Sequence, residues 1–444
     1  MNTVFRTALI VVVSWLVSTV MIAKTSESFL GIVNRTNCGG FWRYNFNYET
    51  VDADGETPIV LSAAIFLSTD VHDKKLKAKG CALLNHYTIT ADYQCPTHVS
   101  KEITQEGALA STNYILIESD GFGFGIDVKR NQKYLQGRAT ARVNIDAFLA
   151  GRRLMEEEGY EWEDVTINLG YSQGGHSGMW VNRLLAEGYR SDELPRIDYC
   201  IIGSGPYDLY AHYQQLVVDN LAENPAALVL ILNSMIEAGG FKVKHKEIFS
   251  DDLVPLLPEL FDAKLYSDGY INNFLYAQYD HNEDRKLPID QLMKPVFFDE
   301  KSAAMQEIIY YLKQNSLVYD PWKPEKTSHI TFVHSRNDEV VPIINQERMA
   351  RHLLENGYKA FDIDDSSDEN HKDTGLYYVL KAISLLSTYV PTGIENVHSE
   401  LSDEQLHDIY SIDGRLIRKQ ITLSEAYRSL PRGIYVINGR KIIK

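Results

Sequence analysis

The chain has 444 residues, of which 44% are hydrophobic and 23% are charged, so it has enough apolar side chains for a sizeable core. This length suits one large domain with smaller additions. The formal net charge is −16, and no run of five or more basic residues offsets it. Such a chain would repel a phosphate backbone, so we exclude nucleic acid as a partner.

The first residues have the pattern of an export signal. Arg6 supplies a positive charge, and an apolar, almost uncharged stretch covers residues 8–23 before the polar Lys24. We therefore predict a signal peptide over residues 1–23 and a secreted, periplasmic or cell-surface location. An uncleaved N-terminal anchor is the alternative.

Export makes a disulfide feasible for the four cysteines. Cys81 and Cys200 lie in apolar strand-like runs, which indicates buried thiols, and Cys38 with Cys95 is the pair that we would test. The chain contains neither a C-x-x-C nor an H-E-x-x-H motif. The sequence therefore supports no zinc site, and we predict no metal.

A hairpin is predicted at the start of the mature chain. Residues 41–51 alternate aromatic and polar side chains, Asp54-Gly55 is a turn signal, and residues 58–67 form the second strand. Six short apolar strands follow at residues 81–84, 114–117, 165–169, 199–202, 330–333 and 360–363. Between the second and third of them, apolar residues recur every three or four positions, which is typical of a helix. This alternation predicts a mostly parallel sheet with helices on both faces.

The strand spacing is interrupted between the fourth and fifth of these strands. The intervening residues carry apolar helical patterns, which predict a helical cap over about residues 206–326. The run at 226–232 is too short to span a bilayer, so we interpret it as a buried cap helix. We expect aromatic side chains of the cap to shape an acyl or aromatic pocket, with plain core packing as the alternative: Tyr266, Tyr270, Phe274 and Tyr276.

The last residues change pattern again. Short strand-like pieces follow one another from position 409, with Asp413-Gly414 and Asn438-Gly439 as hairpin turns. We predict a small β module over residues 391–444, so that the main domain covers residues 24–390.

The strongest functional signal is the sequence Gly-Tyr-Ser-Gln-Gly-Gly at residues 170–175. It follows a predicted strand and precedes a helical pattern. A serine at such a sharp turn has a strained backbone and an exposed hydroxyl, and glycines two positions before and after it avoid collisions. The start of the helix also favours negative charge. We predict that Ser172 is a nucleophile, with a Gly-rich connecting loop as the alternative.

A serine nucleophile needs a base and a carboxylate that orients the base. In this arrangement of strand, serine and helix, the order along the chain is nucleophile, acid, base. Asp338 ends the fifth apolar strand and is the predicted acid, with Glu339 as the runner-up. His371, in the loop after the last strand, is the predicted base. Three other histidines are weaker candidates: His86, His176 and His334.

Acyl transfer also needs donors for the oxyanion. We expect the backbone N–H groups of Gln173 and of Tyr87 to supply them, with Thr88 as the near alternative to Tyr87. The Gly-rich stretch at residues 120–125 lacks the third glycine of a dinucleotide loop, because Ile126 stands in that place. We expect it to be a flexible, aromatic-bearing loop near the rim of the site.

On these residues the chain resembles the α/β-hydrolase superfamily over roughly residues 80–387, and within it the secretory lipase and related esterase branch. The elbow at 170–175, the helical insertion and the Asn-Asp-x-x-Val-Pro sequence at 337–342 carry the resemblance, and residues 119–123 are similar to the loop after that family's fourth strand. It implies a doubly wound, mostly parallel sheet with a helical cap insertion. It also implies cleavage of small-molecule or lipid carboxylic esters through an acyl-enzyme, without a cofactor.

Two other functions stay open at this point: a serine peptidase of the same fold, and an inactive hydrolase-fold module that binds at the cell surface. The tail at residues 430–441 looks like the end of type IX secretion sorting domains of certain Gram-negative bacteria. This resemblance implies a bacterial protein whose tail engages the secretion machinery. A vestigial or purely structural module is the alternative.

Overall fold

The computed structural model describes residues 30–99, 104–237, 241–388, 406–411, 415–422, 425, 429–430, 434–437 and 440–443. The predicted signal peptide and the two predicted turns of the tail, Asp413-Gly414 and Asn438-Gly439, lie outside these residues. Contacts between Cα atoms divide the chain into two units, Met1–Ser387 and Thr388–Lys444. We describe each unit by itself.

The strands of the described chain include all six that the apolar runs predict. In chain order, the strands of the structure are β1 (Gly31–Asn37), β2 (Phe41–Val51), β3 (Pro58–Ser68), β4 (Cys81–Asn85), β5 (Ile115–Ser119), β6 (Thr166–Tyr171), β7 (Tyr199–Gly203), β8 (Leu221–Ala222), β9 (Leu287–Pro288), β10 (Ile330–Val333), β11 (Phe361–Asp364), β12 (His407–Ser411), β13 (Leu416–Ile421), β14 (Ile434–Ile437) and β15 (Arg440–Ile443). The six predicted strands correspond to β4, β5, β6, β7, β10 and β11, and their ends differ from the prediction by no more than two residues.

In the described part of the first unit, nine strands form one sheet in the order β1-β2-β3-β5-β4-β6-β7-β10-β11. Every pair from β5 to β11 is parallel, whereas β1, β2 and β3 pair antiparallel at one edge. Strands β2 and β3 form the predicted hairpin, with Val51 opposite Pro58 across the Asp54-Gly55 turn. Strands β4, β5, β6, β7 and β10 are buried almost throughout, which explains their nearly continuous apolar runs, whereas β11 at the edge is half-exposed. The predicted mostly parallel sheet is confirmed.

The helices of the described chain alternate with the parallel strands and then cluster between β7 and β10. They are α1 (Thr69–Asp73), α2 (Gln105–Ala110), α3 (Gly137–Glu157), α4 (Gln173–Ala186), α5 (Leu209–Asp219), α6 (Pro225–Glu237), α7 (His245–Ile248), α8 (Asp268–Gln278), α9 (Ile289–Leu292), α10 (Ala303–Gln314), α11 (Ile344–Glu355) and α12 (His371–Thr388). Among the residues that the structure describes, none of these helices is long and apolar enough to cross a lipid bilayer.

Helix α3 lies directly on the sheet, and two glycines make this close packing possible. A Cβ atom on Gly151 would lie 2.9 Å from the side chain of Ile117 on β5. A Cβ atom on Gly137, the first residue of α3, would overlap the indole ring of Trp180 on α4. The apolar face of α3 therefore joins the main core, together with buried side chains of the sheet and of α4.

The helices α5 to α10 form the predicted insertion between β7 and β10 and have an apolar core of their own. Helix α6 contains the apolar run at 226–232, and Ala226, Val229, Leu230 and Leu232 are all buried in it. The interpretation of this run as a buried cap helix is confirmed. Among the described residues of the first unit, one large hydrophobic cluster lies around the sheet, a second lies within the insertion, and a small third one contains Ile89, Cys95 and Phe124.

The second unit contains a small antiparallel sheet with the order β13-β12-β14-β15 among its described residues. Strand β12 pairs with β13 through an irregular register and with β14 through a regular one, in which Tyr410 faces Val436. Strands β14 and β15 form a hairpin that pairs Ile437 with Arg440. The predicted small β module is therefore present.

All four cysteines are buried, and Cys38 and Cys95 are not joined by a disulfide. The Sγ atom of Cys38 faces the carbonyl oxygens of Thr36 and Val99, whereas that of Cys95 faces Thr97 and His98. The pairing that we would have tested is therefore absent. Cys81 on β4 and Cys200 on β7 are buried thiols, as predicted.

Candidate active site

Ser172 lies at the sharp turn between β6 and α4. Its φ angle is +57° and its ψ angle is −119°, a region that residues with side chains rarely adopt. The turn is held by a hydrogen bond from the Ser172 N–H to the carbonyl oxygen of Gly203 on β7, at 2.9 Å. The strained geometry that the motif predicts is therefore present at this serine.

The glycines around Ser172 are required by the packing of the turn. A Cβ atom on Gly170 would overlap the carbonyl oxygen of Gly174, and one on Gly174 would overlap the carbonyl oxygen of Asn85 at the end of β4. The second contact also shows that the loop after β4 lies against the start of α4. Neighbouring parallel strands β4 and β6 bring these two segments together at their carboxyl ends.

A continuous chain of hydrogen bonds joins Ser172, His371 and Asp338. The Ser172 Oγ atom lies 2.9 Å from Nε2 of His371. The other ring nitrogen, Nδ1, lies 2.8 and 2.9 Å from the two carboxylate oxygens of Asp338. These contacts favour the tautomer with the proton on Nδ1, which leaves Nε2 able to accept the serine proton.

Asp338 is a buried carboxylate that is held in its ionised form. It follows β10, and its Oδ1 atom accepts hydrogen bonds from the backbone N–H groups of Val340 and Val341. Burial by itself would raise its pKa, but the hydrogen bond and the charge of His371, with a smaller effect of His334, leave the pKa below the ordinary value. The carboxylate is thus able to orient the imidazole and to stabilise its charged form.

His371 is the first residue of α12, whereas we expected it in the loop after the last strand. The carboxylate of Glu339 accepts the backbone N–H of His371 at 2.9 Å, and the Tyr171 hydroxyl donates to its carbonyl oxygen at 2.6 Å. Glu339, the runner-up acid, thus contacts the backbone of His371 and not its ring. These two contacts, from the end of β6 and from the loop after β10, fix the position of His371.

The competing histidines are engaged elsewhere. The Nε2 atom of His176 lies 2.7 Å from the carbonyl oxygen of Asn315, and burial lowers the pKa of this histidine to about 4. His334 is buried and directs Nε2 toward the carbonyl oxygen of Val341. The ring of His86 contacts the carbonyl oxygen of the next residue, Tyr87.

The predicted oxyanion donors lie on the two segments that meet beside Ser172. Gln173 is the first residue of α4, where backbone N–H groups have no acceptor within the helix. Tyr87 and Thr88 follow β4, and both line the cavity above the serine. The hydroxyl of Thr88 is paired with that of Tyr134 at 3.0 Å.

A cavity of about 770 Å³ opens above Ser172 and His371. Its walls come from the loop after β4, from α2, from the helices of the insertion and from the start of α12. The insertion contributes mostly apolar side chains, namely Leu209, Leu216, Leu228, Ile231, Leu232 and Leu312. A cavity of this size and character suits an organic ligand with an apolar part.

Two sequence-based expectations about the cavity are wrong. The aromatic residues Tyr266, Tyr270, Phe274 and Tyr276 do not line it. Tyr266, Phe274 and Tyr276 pack against the core of the insertion, which was the alternative, and Tyr266 and Tyr270 stack with ring centroids 4.4 Å apart. Helical spacing alone does not show which side of a cap helix faces the cavity. The stretch at 120–125 is not at the rim either, because Asp120, Phe122 and Phe124 are buried. Thr97 donates two hydrogen bonds to Asp120, which holds this loop inside the protein.

His212 on α5 is a cavity residue that the sequence reasoning missed. Burial lowers its pKa to about 4, and the charges of Asp338 and His371 act on it as well. It is therefore neutral at neutral pH and able to give or accept one hydrogen bond near Ser172. Its position in a long helical insertion carries no local signal that could have singled it out.

Comparisons with known proteins agree with this architecture at low sequence identity. The sequence matches no family model and no curated protein. Among solved structures, the rice cell wall degrading esterase LipA from Xanthomonas oryzae is similar with a TM-score of 0.64 at 20% identity, over 78% of this chain and 89% of that one. A protein from Legionella pneumophila gives a TM-score of 0.66 at 21% identity, over 80% of this chain and 91% of that one. Candida antarctica lipase A gives 0.53 at 15%, over 81% and 83%.

Proposed function

We propose that this chain, which has the α/β-hydrolase fold with a helical cap insertion, is a serine hydrolase that cleaves carboxylic esters. The observation that carries the proposal is the series of hydrogen bonds from the Ser172 hydroxyl through His371 to Asp338. Ser172 lies on a strained turn, and a cavity opens above it. An inactive binding module would not need three such side chains within hydrogen-bond distance of one another.

In the proposed reaction, the Ser172 Oγ atom attacks the ester carbonyl while Nε2 of His371 takes its proton. Asp338 keeps the imidazole oriented and stabilises its positive charge. The backbone N–H groups of Gln173 and Tyr87 bind the oxyanion. His371 then gives the proton to the leaving alcohol, and water hydrolyses the acyl-enzyme by the same route. No step needs a cofactor.

The cavity supports an ester with an apolar acyl group as the substrate. Leucine and isoleucine side chains of α5, α6 and α10 form its deep wall, whereas Thr104, Gln105 and Asp268 add polar groups. Burial of an acyl chain against that wall would contribute about 0.8 kcal/mol for each CH₂ group. The structural neighbours that are described as an esterase and a lipase agree with this class of substrate.

Location and domain roles belong to the same proposal. We assign residues 1–23 to a signal peptide, residues 24–390 to the catalytic domain with its cap at about 206–326, and residues 391–444 to a sorting-domain-like tail. The protein would then act outside the bacterial cytoplasm, with the tail as its contact to the secretion machinery. The apolar N-terminal segment and the residues of the tail support this assignment.

The first test is hydrolysis of p-nitrophenyl esters from acetate to a long-chain acyl group. The wild-type protein should cleave them, and Ser172→Ala should lower kcat by at least about a thousandfold, because the nucleophile is lost. The matched control is Ser177→Ala on α4, the helix that follows Ser172; the Ser177 hydroxyl donates to the carbonyl oxygens of Gln173 and Gly174. This variant should keep its activity.

The ester series also separates the alternatives. Cleavage of peptides without turnover of any ester would replace the esterase proposal by the serine peptidase. Silence of the wild-type protein on both classes of substrate would favour the binding module. Within the ester hypothesis, the chain length with the highest kcat/KM reports how much of the cavity the acyl group fills.

A further inference from the structure

A second cluster of reactive side chains lies outside the cavity, in the segment that follows β4. The potential ligand atoms of Asp92, Cys95 and His98 all lie within 4.8 Å of one another. None of the three residues lines the cavity above Ser172. The proposed hydrolysis therefore gives them no role.

The local backbone explains why these three residues meet. Two successive 3-10 turns cover Asp92–Gln94 and Pro96–His98. Asp92 begins the first turn, His98 ends the second, and Cys95 stands between them with an extended backbone. This arrangement brings the three side chains to one place.

The distances within the cluster fit a shared ion. The Sγ atom of Cys95 lies 3.1 Å from Nδ1 of His98, and Oδ2 of Asp92 lies 3.6 Å from the same nitrogen. Tetrahedral zinc, with bonds of about 2.3 Å to sulfur and 2.0 Å to nitrogen or oxygen, holds such pairs about 3.3 to 3.5 Å apart. Small side-chain adjustments would bring all three atoms to one ion.

The remaining contacts of the cluster orient these ligands. Gly125 donates its backbone N–H to Oδ1 of Asp92, so Oδ2 is the oxygen that faces the histidine. Nδ1 of His98 also lies 2.8 Å from the carbonyl oxygen of Asp92. In a site with a bound ion, Nδ1 would exchange this contact for a bond to the ion.

Solvent can reach one side of the cluster. The cysteine is buried, but the side chain of His98 is 47% exposed, so an ion can reach the cluster from solvent.

We propose that Asp92, Cys95 and His98 form a zinc site, with water as the fourth ligand. A thiolate and an imidazole select a borderline or soft ion such as Zn²⁺ over Ca²⁺ or Mg²⁺. This proposal departs from our expectation of no metal, which rested on the lack of C-x-x-C and H-E-x-x-H motifs. The spacing Asp-x-x-Cys-x-x-His is not covered by a search for those motifs.

The site would fasten the loop that carries Tyr87. The same loop already contacts the insertion. Asp92 donates its backbone N–H to the carbonyl oxygen of Lys264, and the Thr90 hydroxyl donates to the carbonyl oxygen of Tyr266. A bound ion would connect the two 3-10 turns and Cys95 between them through coordination bonds. Its role is therefore structural, at a distance from the reacting atoms.

The test uses Co²⁺ as a spectroscopic substitute for Zn²⁺ on the untagged, full-length protein after removal of metals. The wild-type protein should show visible bands of tetrahedral Co²⁺ and a thiolate-to-cobalt charge-transfer band, all abolished by one equivalent of Zn²⁺. Cys95→Ser should lose the charge-transfer band. His98→Gln, which changes a half-exposed side chain, should bind Co²⁺ at least about tenfold more weakly.

His281→Gln is the matched control, because His281 is exposed and likewise directs Nδ1 toward a backbone carbonyl, that of Asn282. It should keep both sets of bands. Zn²⁺ should raise the melting temperature of the wild-type protein and of this control, and not that of His98→Gln. Absence of bands in the wild type, or persistence of the charge-transfer band in Cys95→Ser, would overturn the proposal whether or not the protein hydrolyses esters.

Discussion

At the scale of single residues, Glu118 is a carboxylic acid in an unfavourable place. It lies on β5, is buried, and neither of its carboxyl oxygens has a hydrogen-bond partner among the residues that the structure describes. Burial raises its pKa well above the ordinary value, and the nearby Glu106 and Asp120 raise it further. The folded protein therefore binds a proton that the unfolded chain releases, and stability falls as the pH rises above the unfolded pKa.

We expect Glu118→Gln to stabilise the protein at neutral pH. Each pKa unit by which the folded value exceeds the unfolded one costs about 1.4 kcal/mol once the pH exceeds both, and the amide removes this penalty. The increase in the free energy of unfolding should shrink toward pH 4, where Glu118 is protonated in both the folded and the unfolded protein. Urea unfolding between pH 4 and 8 measures this increase, and Glu157→Gln, a change at an exposed residue, is the control. A constant difference across this range would show that Glu118 does not titrate as described.

At the scale of elements, the position of His371 depends on how β11 is tied to α12. Asp364 ends β11, and its carboxylate pairs with the ammonium group of Lys381 at 2.7 Å and accepts the hydroxyl of Tyr377 at 2.9 Å. Both partners lie on the helix that begins with the histidine. Burial opposes ionisation, but these contacts and those of Ser366 lower the pKa of Asp364 to about 2.

Asp364→Asn should weaken this connection and destabilise the protein by about 1 to 2 kcal/mol at neutral pH. A carboxylate with a depressed folded pKa stabilises the fold above its unfolded value, near 4, and this contribution is lost as the pH falls toward 2. The wild type and the variant should therefore converge in acid. Thermal unfolding from pH 2 to 7 tests this. The exposed neighbour Asp365→Asn is the control, and an equal loss in that variant would contradict the assignment to Asp364.

At the scale of the whole molecule, the cavity combines residues from two parts of the first unit. Ser172, Asp338 and His371 follow strands β6, β10 and β11 of the sheet. The helices of the insertion, which have a hydrophobic core of their own, supply the apolar wall. The reacting groups and the substrate-shaping surface therefore belong to different parts of the first unit. We therefore expect substitutions in the apolar wall to leave the hydrogen bonds among Ser172, His371 and Asp338 in place.

We expect a chain that ends at residue 388 to fold and to hydrolyse esters. Every residue that we assign to the reaction lies in the first unit, which has its own cores, whereas the second unit has its own small sheet. Its kcat/KM on p-nitrophenyl esters should stay within about twofold of the full-length value, and its unfolding should remain cooperative. An insoluble or inactive product would show that the second unit is needed for the first.

Much of the fold could be predicted because its signals are local. An apolar run such as that of β4 or β6 indicates a buried strand from its own residues, and Asp54-Gly55 indicates the turn of the first hairpin. The candidates Ser172, Asp338 and His371 could be named in the same way, because a strained turn and the order of strand ends restrict the choice. The structure brings these three side chains within hydrogen-bond distance.

The sequence by itself therefore determined the sheet, the insertion, the elbow and the order of the three candidate residues. The tertiary structure decided which side chains surround them. It places His212 in the cavity, buries the loop at Asp120, leaves Cys38 and Cys95 unbonded to each other, and brings Asp92 close to His98. The physical reason is that strands and turns form from neighbouring residues. The lining of a cavity instead depends on how helices distant in sequence pack, and helical periodicity does not specify which neighbour each face meets.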